Sequence, residues 1–372
     1  MSAIYVNGRF TSRPLTGVQR FASEMTGALA ALWDPTRTPL VLLVPPGTAG
    51  AATERLPAPP RVRPVGYGSG HLWEQFELPF HAADGLLVNL ANAAPVMARR
   101  QVVVIHDAGV FANTTAYSAP YRLWHQRLGR ALARSSATIV TVSAFSRDEI
   151  VKHLHLDRDA IAVISEGADH MLRVPPDATV LTRHGLEPNR YVVAVGSLAA
   201  HKNLSSLAET AAMLHGCGRK LVLIGDMNAA VLETEAALPR PAELLGRIGD
   251  AALRALYEQA ACLVFPSRYE GFGLPPVEAM VCGCPVVAST APALVEVCGD
   301  AALYCDPDDC AGIAATVRRL IEEPALASER RRRGAARVAS LTWENAARLL
   351  LPVLLRASAG APAAASQQRA AA

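Results

Sequence analysis

Short unbroken apolar runs, separated by longer stretches of mixed polarity, set the pattern of this chain. Ile4-Tyr5-Val6 is the first run and Leu40–Val44 the second, closed by Pro45-Pro46. Gln101–Ile105 and Ala137–Val142 follow. Continuous runs of this length, rich in Val, Ile and Leu, predict strands buried on both faces, as in a parallel sheet. Between them, 17–32, 121–134 and 146–153 carry apolar residues at helical spacing. The rhythm then restarts: Tyr191–Val195, Gly196 and a helix from Leu204, the strand run Lys220–Ile224, and Ala261–Phe265. Alternating strands and helices predict α/β layering, and the restart predicts a second domain of the same kind. The polar, proline-bearing stretch 172–188 reads as the link, so the domains are expected over 1–175 and 186–340. A final helix is expected over 341–357, opening at Thr342-Trp343-Glu344-Asn345. The Ala/Ser/Gln/Pro-rich tail 358–372 is expected to be disordered.

Composition narrows the class. A chain of 372 residues exceeds what one core usually supports. No apolar run reaches the length of a membrane span. The N-terminus lacks the basic-then-apolar order of a signal peptide, which predicts a cytoplasmic location. A net charge of +3 argues against nucleic acid as the main partner and leaves room for peripheral contact with an anionic membrane surface. The run Arg330–Arg333 could supply such contact, although a solvated helix face is the favoured reading. All seven cysteines fall at or after Cys217. Their odd number predicts reduced thiols packing as small hydrophobes. Cys282-Gly283-Cys284 lacks zinc-ligand spacing, so no metal site is expected. Only Lys152, Lys202 and Lys220 are lysines among 36 basic residues, which draws attention to each.

The chemistry concentrates in Arg268–Met280. Glu270 and Glu278 flank Gly271-Phe272-Gly273, and Pro275-Pro276 mark a helix start after the apolar run Ala261–Phe265. Such a loop presents N–H groups to an anion, and the carboxylates can accept from neutral hydroxyls. Phosphate beside polyol describes a nucleotide sugar. The spacing alone carries little, because Glu235 and Glu243 repeat it with no glycines or helix start between them. A tight strand-to-helix turn in any α/β protein would explain the glycines but not both glutamates.

In this context the chain resembles the retaining GT-B glycosyltransferases of family 4, whose signature is E-G-F-G-L-P-x-x-E-A-M. The match runs from Glu270 to Met280, and Gly283–Ala288 continues it as the next turn and strand. The resemblance implies two doubly wound Rossmann-like domains facing a central cleft, with a C-terminal helix crossing back to the N-terminal, acceptor-binding domain. It also implies Glu270 facing the transferred sugar and Glu278 accepting from the ribose. Gly271, Phe272, Gly273 and Leu274 would donate N–H groups to phosphate or sugar.

Gly196-Ser197-Leu198-Ala199-Ala200-His201-Lys202-Asn203 is similar to the family's G-R-x-x-x-x-K-N, in which Arg and Lys grip the donor phosphates. Lys202 and Asn203 match, and Ser197 stands where the arginine is expected. A second cation then comes from elsewhere, or Lys202 acts with backbone donors alone. Leu245–Asp250 resembles the loop framing the nucleotide base, with Arg247 or Ile248 against the ring. The opening, Gly8-Arg9-Phe10 and Thr16-Gly17-Val18-Gln19-Arg20, resembles bacterial polysaccharide enzymes. Gly17 would allow close backbone approach to the donor, and Arg20 is a candidate for the missing cation, a helix-surface role being equally open. A lone strand-end histidine is usually structural, yet His106 sits where the family places one near the transferred sugar. Asp107 would orient His106 or bind an acceptor hydroxyl, and Trp73-Glu74-Gln75 and Asn92 resemble acceptor-side features, with a core role equally open for Trp73.

The function implied is metal-independent, retaining transfer from a nucleoside-diphosphate sugar, with Glu270, His106 and Lys202 as catalytic groups and no other cofactor. GDP-mannose is the favoured donor, and rhamnose or glucose from a UDP, dTDP or GDP donor the alternative. The acceptor would be a glycan or lipid-linked oligosaccharide at the inner face of the cytoplasmic membrane. Two rivals come from other classes. A nicotinamide dehydrogenase needs G-x-G-x-x-G, and Gly66-Tyr67-Gly68-Ser69-Gly70 fails that spacing. A non-catalytic nucleotide-sugar-binding protein remains compatible with the motifs.

Overall fold

The computed structural model describes residues 3–34, 36, 38–112, 117–226 and 238–360. They form two units, one holding the chain up to Gly167 together with the segment from Trp343 onward, the other Ala168–Thr342. Glu235 and the tail from residue 361 lie outside the described residues.

The first unit is built on a parallel sheet of β1 (Ile4–Asn7), β2 (Leu40–Val44), β3 (Arg61–Pro64), β4 (Leu86–Asn89), β5 (Gln101–Val104), β6 (Thr138–Thr141) and β7 (Ala162–Val163). Their order is β3-β2-β1-β4-β5-β6-β7. Every residue of β1, β2, β4 and β5 is buried, as continuous apolar runs demand of strands covered on both faces. The helix Gly17–Leu32 buries Phe21, Met25 and Leu29, each four residues from the last. The final helix, Trp343–Ser358, belongs to this unit and packs on that one. The Trp343 and Phe21 rings meet edge to face at 5.7 Å.

The second unit repeats the scheme with β8 (Tyr191–Val195), β9 (Lys220–Ile224), β10 (Glu243–Gly246), β11 (Cys262–Phe265), β12 (Val286–Ser289) and β13 (Leu303–Cys305). The order is β10-β9-β8-β11-β12-β13, again parallel. Val192, Leu221, Leu223, Val264 and Val287 form its core with Ile313, Val317 and Leu320 of the helix Cys310–Glu322.

Several elements differ from expectation. β3, β4, β7, β10 and β13 were not anticipated: they are two to four residues long, and β3 and β10 are edge strands of mixed polarity. The helix expected from Leu204 opens as a 3-10 turn, Leu204–Leu207, before the α-helix Ala208–Gly216. The boundary falls at Gly167, ahead of the proline-bearing stretch. That stretch is fastened to the second unit: Arg254 Nη1 donates to the carbonyls of Met171, Leu172 and Val174, and Asp177 N–H to that of Ala251.

Candidate functional site

In the second sheet β8 and β11 are neighbours, while β9 and β10 lie on one side and β12 and β13 on the other. The winding reverses between β8 and β11, the place where open α/β sheets bind ligands. The loops leaving their carboxyl ends are the motif-bearing ones. After β8 the chain passes Gly196 and Ser197 to a single 3-10 turn, Ala200–Lys202, and then Asn203 in the left-handed region (φ 56°). The Asn203 amide donates to the carbonyls of Pro266, at 3.1 Å, and Pro307, at 2.7 Å. Both amide hydrogens are spent there, so Asn203 pins the loop.

Pinning Asn203 aims its neighbour. Lys202 Nζ donates to Glu270 Oε1 at 2.6 Å and stands 5.6 Å from the centre of the Phe265 ring, the last residue of β11. The side chains are mostly buried, which shields the pair from the screening that weakens surface ion pairs. The backbone joins the same loops, Arg268 N–H donating to the His201 carbonyl at 2.8 Å.

Beyond Glu270 the chain turns into the helix Leu274–Val281. Gly273 makes the turn at φ 102°, where a Cβ would lie 2.4 Å from Leu294 Cδ2. Pro275 and Pro276 fill the first helical turn and have no N–H to give. The donors of this terminus are therefore confined to the glycine loop and Leu274. Phe272 and Leu274 are themselves buried.

Glu278 lies on the buried side of the same helix and accepts from His170 Nε2 at 3.0 Å. His170 sits in the 3-10 turn Asp169–Leu172 and had no motif to mark it. The fully buried Tyr257 hydroxyl has no hydrogen-bond partner; burial, reinforced by the Glu278 charge, raises its pKa far above the ordinary phenol value. Of the other donor-side residues, Ser197 Oγ accepts a long 3.5 Å bond from Ala199 N–H. Arg247, beyond the end of β10, faces Asp226 at 3.7 Å, and Ile248 beside it is half-buried. Two Asp-x-Asp triplets serve turns: Asp157 accepts from Asp159 N–H, and Asp306 from Asp308 N–H.

The first sheet has its own reversal, between β1 and β4, and polar side chains gather there. Asn7, ending β1, donates to Asn89 Oδ1, ending β4, and to Glu74 Oε1, both at 2.9 Å. Arg9 Nε also reaches Glu74 Oε1 at 2.9 Å, and His71 Nδ1 lies 3.2 Å from Glu74 Oε2. Arg9, Arg13, His71, Glu74, Asn92 and His125 border a cavity of about 180 Å³. An adjoining, more apolar cavity shares Asn92, Tyr121 and His125 and reaches Phe111, Ile150 and Leu154. Burial, with the nearby His71 and Arg9, pushes the His125 pKa down to about 4. Burial alone would raise the Glu74 pKa, but the His71 hydrogen bond, the Arg9 charge and Asn7 together hold it below the ordinary value.

Trp73, expected on the acceptor side, is wholly buried in the core and donates to the Val65 carbonyl at 2.8 Å. Its neighbour Glu74 is the residue that faces the cavity. The physical reason is a π turn over Trp73–Glu77, which puts Trp73 and Leu78, five apart, on the core side.

His106, just past β5, is buried and fully engaged. Its Nε2 lies 3.0 Å from the Leu90 carbonyl oxygen and its Nδ1 3.3 Å from Glu166 Oε1. Its ring also packs edge-on against Phe21 at 4.6 Å. The His106 N–H donates to Asn92 Oδ1 at 2.7 Å, which holds Asn92 at φ 61° on the cavity wall. Asp107 accepts from Gly109 N–H at 2.6 Å. Gly17 is the first residue of its helix, and Arg20 lies 3.8 Å from Glu24 one turn on.

Comparison with known proteins adds to this geometry. The family described as Glycosyltransferase Family 4 matches residues 16–172, and the one described as Glycosyl transferases group 1 matches residues 189–323. O-antigen chain mannosyltransferase B of Escherichia coli is 30% identical over 262 residues, covering 68% of this chain and 69% of the relative. O-antigen chain mannosyltransferase RfbU of Salmonella typhimurium is 25% identical over 253 residues, covering 67% and 69%. The crystal structure of HepE from Anabaena in complex with UDP and glucose has a TM-score of 0.70 at 17% identity, covering 95% of this chain and 99% of that one. That last likeness is one of fold.

Proposed function

The chain belongs to glycosyltransferase family 4 and has its GT-B fold, and from that premise we propose that it transfers mannose, with retention, from GDP-mannose to a hydroxyl of a glycan or lipid-linked oligosaccharide during surface-polysaccharide synthesis. The observation that carries this is the Lys202–Glu270 pair at the β8/β11 reversal, beside a glycine loop whose helix terminus has surrendered two N–H groups to prolines. The choice of mannose is supported by two O-antigen mannosyltransferases among its relatives.

In this mechanism the bond between the sugar anomeric carbon and the β-phosphate oxygen breaks, and the acceptor oxygen bonds to the same face of that carbon. The acceptor proton passes to the departing phosphate. Charge grows on the diphosphate, so catalysis rests on donors already aimed at it: the Lys202 ammonium and the loop N–H groups. Glu270 holds Lys202 in place and faces the positive charge developing on the sugar. Glu278, oriented by His170, accepts from the ribose. The acceptor occupies the two adjoining cavities of the first unit, where Asn92 and Asp107 receive its hydroxyls. The enzyme works in the cytoplasm, peripheral to the inner face of the membrane; no helix among the described residues is long and apolar enough to cross it.

Calorimetric titration with GDP, UDP and dTDP, followed by transfer assays with the matching mannose, glucose and rhamnose donors, tests the proposal. Micromolar GDP binding with mannosyl transfer is expected. UDP binding with none of GDP overturns the mannose assignment, and tight binding without transfer or hydrolysis overturns the enzyme.

A further inference from the structure

The five most exposed large apolar side chains among the described residues are Tyr67, Phe80, Met97, Leu72 and Phe76, at 100, 78, 72, 71 and 61%. All belong to one short part of the first unit. Leu72, Phe76 and Phe80 recur every four residues along the continuous helical stretch Gly70–His81, opposite the Trp73 and Leu78 face that enters the core. Tyr67 and Met97 flank the stripe. The Tyr67 N–H donates to the Glu77 carboxylate at 2.6 Å, which turns that charge inward. Gln75 ties in the other side, donating to the Ala94 carbonyl at 2.9 Å and accepting from Val96 N–H at 3.2 Å. The His71 ring then meets Trp124 at 5.6 Å, and the helix Ala119–Arg134 adds the exposed Leu123. A patch of this kind is more than the scattered apolar exposure of an ordinary surface.

The helix Ala119–Arg134 beside it carries one sign of charge: Arg122, Arg127, Arg130 and Arg134, with no acidic residue. Arg99, Arg127, Arg130 and Arg134 are exposed. Apolar side chains beside exposed arginines suit the boundary between acyl chains and anionic headgroups. Position agrees with charge. His71, Tyr121 and His125, which border the polar cavity, sit on the same two helices as Leu72 and Trp124. The basic run Arg330–Arg333 lacks this character. Arg332 and Arg333 reach the carboxylate of Glu329, Arg333 also that of Asp300, and Arg330 the Asp300 carbonyl.

We propose that this face of the first unit docks on an anionic lipid bilayer, with Leu72, Phe76 and Phe80 entering the headgroup layer and the helix Ala119–Arg134 lying along it. Docking there sets the mouth of the polar cavity at the membrane surface, where a lipid-tethered acceptor presents its sugars; the proposal rests on the peripheral membrane location given above.

Flotation with phosphatidylglycerol-containing and pure phosphatidylcholine vesicles tests it, using the wild type, a Leu72→Ser/Phe76→Ser/Phe80→Ser variant and an Arg127→Glu/Arg134→Glu variant. The wild type should bind anionic vesicles at least tenfold better than neutral ones. Each variant should lose at least tenfold of that binding while keeping wild-type unfolding temperature and wild-type hydrolysis of the nucleotide sugar. Wild type that binds no vesicle overturns the membrane location and this surface together. Wild type that binds, with both variants binding equally well, keeps the location and overturns the surface.

Discussion

His170 Nε2 lies 3.0 Å from Glu278 Oε1, joining two buried side chains 108 residues apart. The carboxylate proposed to accept from the ribose is thus already oriented by a histidine outside any motif. Removing one partner leaves the other buried without its complement, at a cost of about 3 kcal/mol. His170→Ala should lower the unfolding temperature by several degrees and weaken nucleotide binding, whereas Glu278→Gln, which keeps a hydrogen-bonding oxygen, should lose less stability. Scanning calorimetry with nucleotide titration checks both. Unchanged melting of His170→Ala would show that the pair contributes nothing.

Glu270→Gln removes the charge facing Lys202 but little of the side chain's shape. We expect kcat to fall about 100-fold, the scale of losing one well-placed electrostatic contact, with the nucleotide Kd nearly unchanged. Lys202→Ala should behave differently, weakening nucleotide binding as well as turnover. If steady-state kinetics give Glu270→Gln a wild-type kcat, its catalytic placement fails.

Two glycines of the motif region should respond unequally to alanine. Gly273 and Gly283 both have positive φ, but only at Gly273 would the new methyl collide, 2.4 Å from Leu294 Cδ2. Gly283→Ala should cost about 1 kcal/mol of backbone strain, and Gly273→Ala about 3 kcal/mol once overpacking is added. Urea denaturation of the two variants decides the order.

Stability should fall on acidification in two windows. His125 is held at about 4 against an ordinary 6.5, so the unfolded chain binds the extra proton between those values. Its contribution is full above about 6.5 and is lost as pH falls toward 4. Glu74 has the opposite charge type and the same sign of effect: its pKa is lowered, so its contribution is present above the ordinary 4.5 and is lost as pH falls through the lowered value. Unfolding temperatures from pH 7 to 4 should decline, and His125→Gln should flatten the decline above pH 4.5. An unaltered slope in that variant would remove His125 as its source.

Legibility in the sequence followed the physics of each element. β2, β5, β8, β9 and β11 are near-continuous apolar runs buried on both faces, so periodicity alone identified them. β4 is equally buried, but Asn89 cuts its apolar run to Leu86-Leu87-Val88, shorter than those of the strands just named. β3 and β10 lie at sheet edges, where one side of the strand meets no partner and the apolar signal fades. In the site, Glu270 and Lys202 were legible because each lies in a local motif. Glu166, His125 and His170 were not, because their partners arrive from other elements.

The chain's one-dimensional pattern was enough to establish two α/β units, the strand–glycine loop–helix turn and the residue types poised around it, since these depend on near neighbours and side-chain period. Tertiary structure decided which of those residues meet. It set Lys202 against Glu270, spent the Asn203 amide on two carbonyls, buried His106 against Glu166, and through one π turn exchanged Trp73 for Glu74 at the cavity wall. Such pairings depend on which loops the sheet order brings together, and strand order is a property of the packed sheet, to which local sequence contributes no signal.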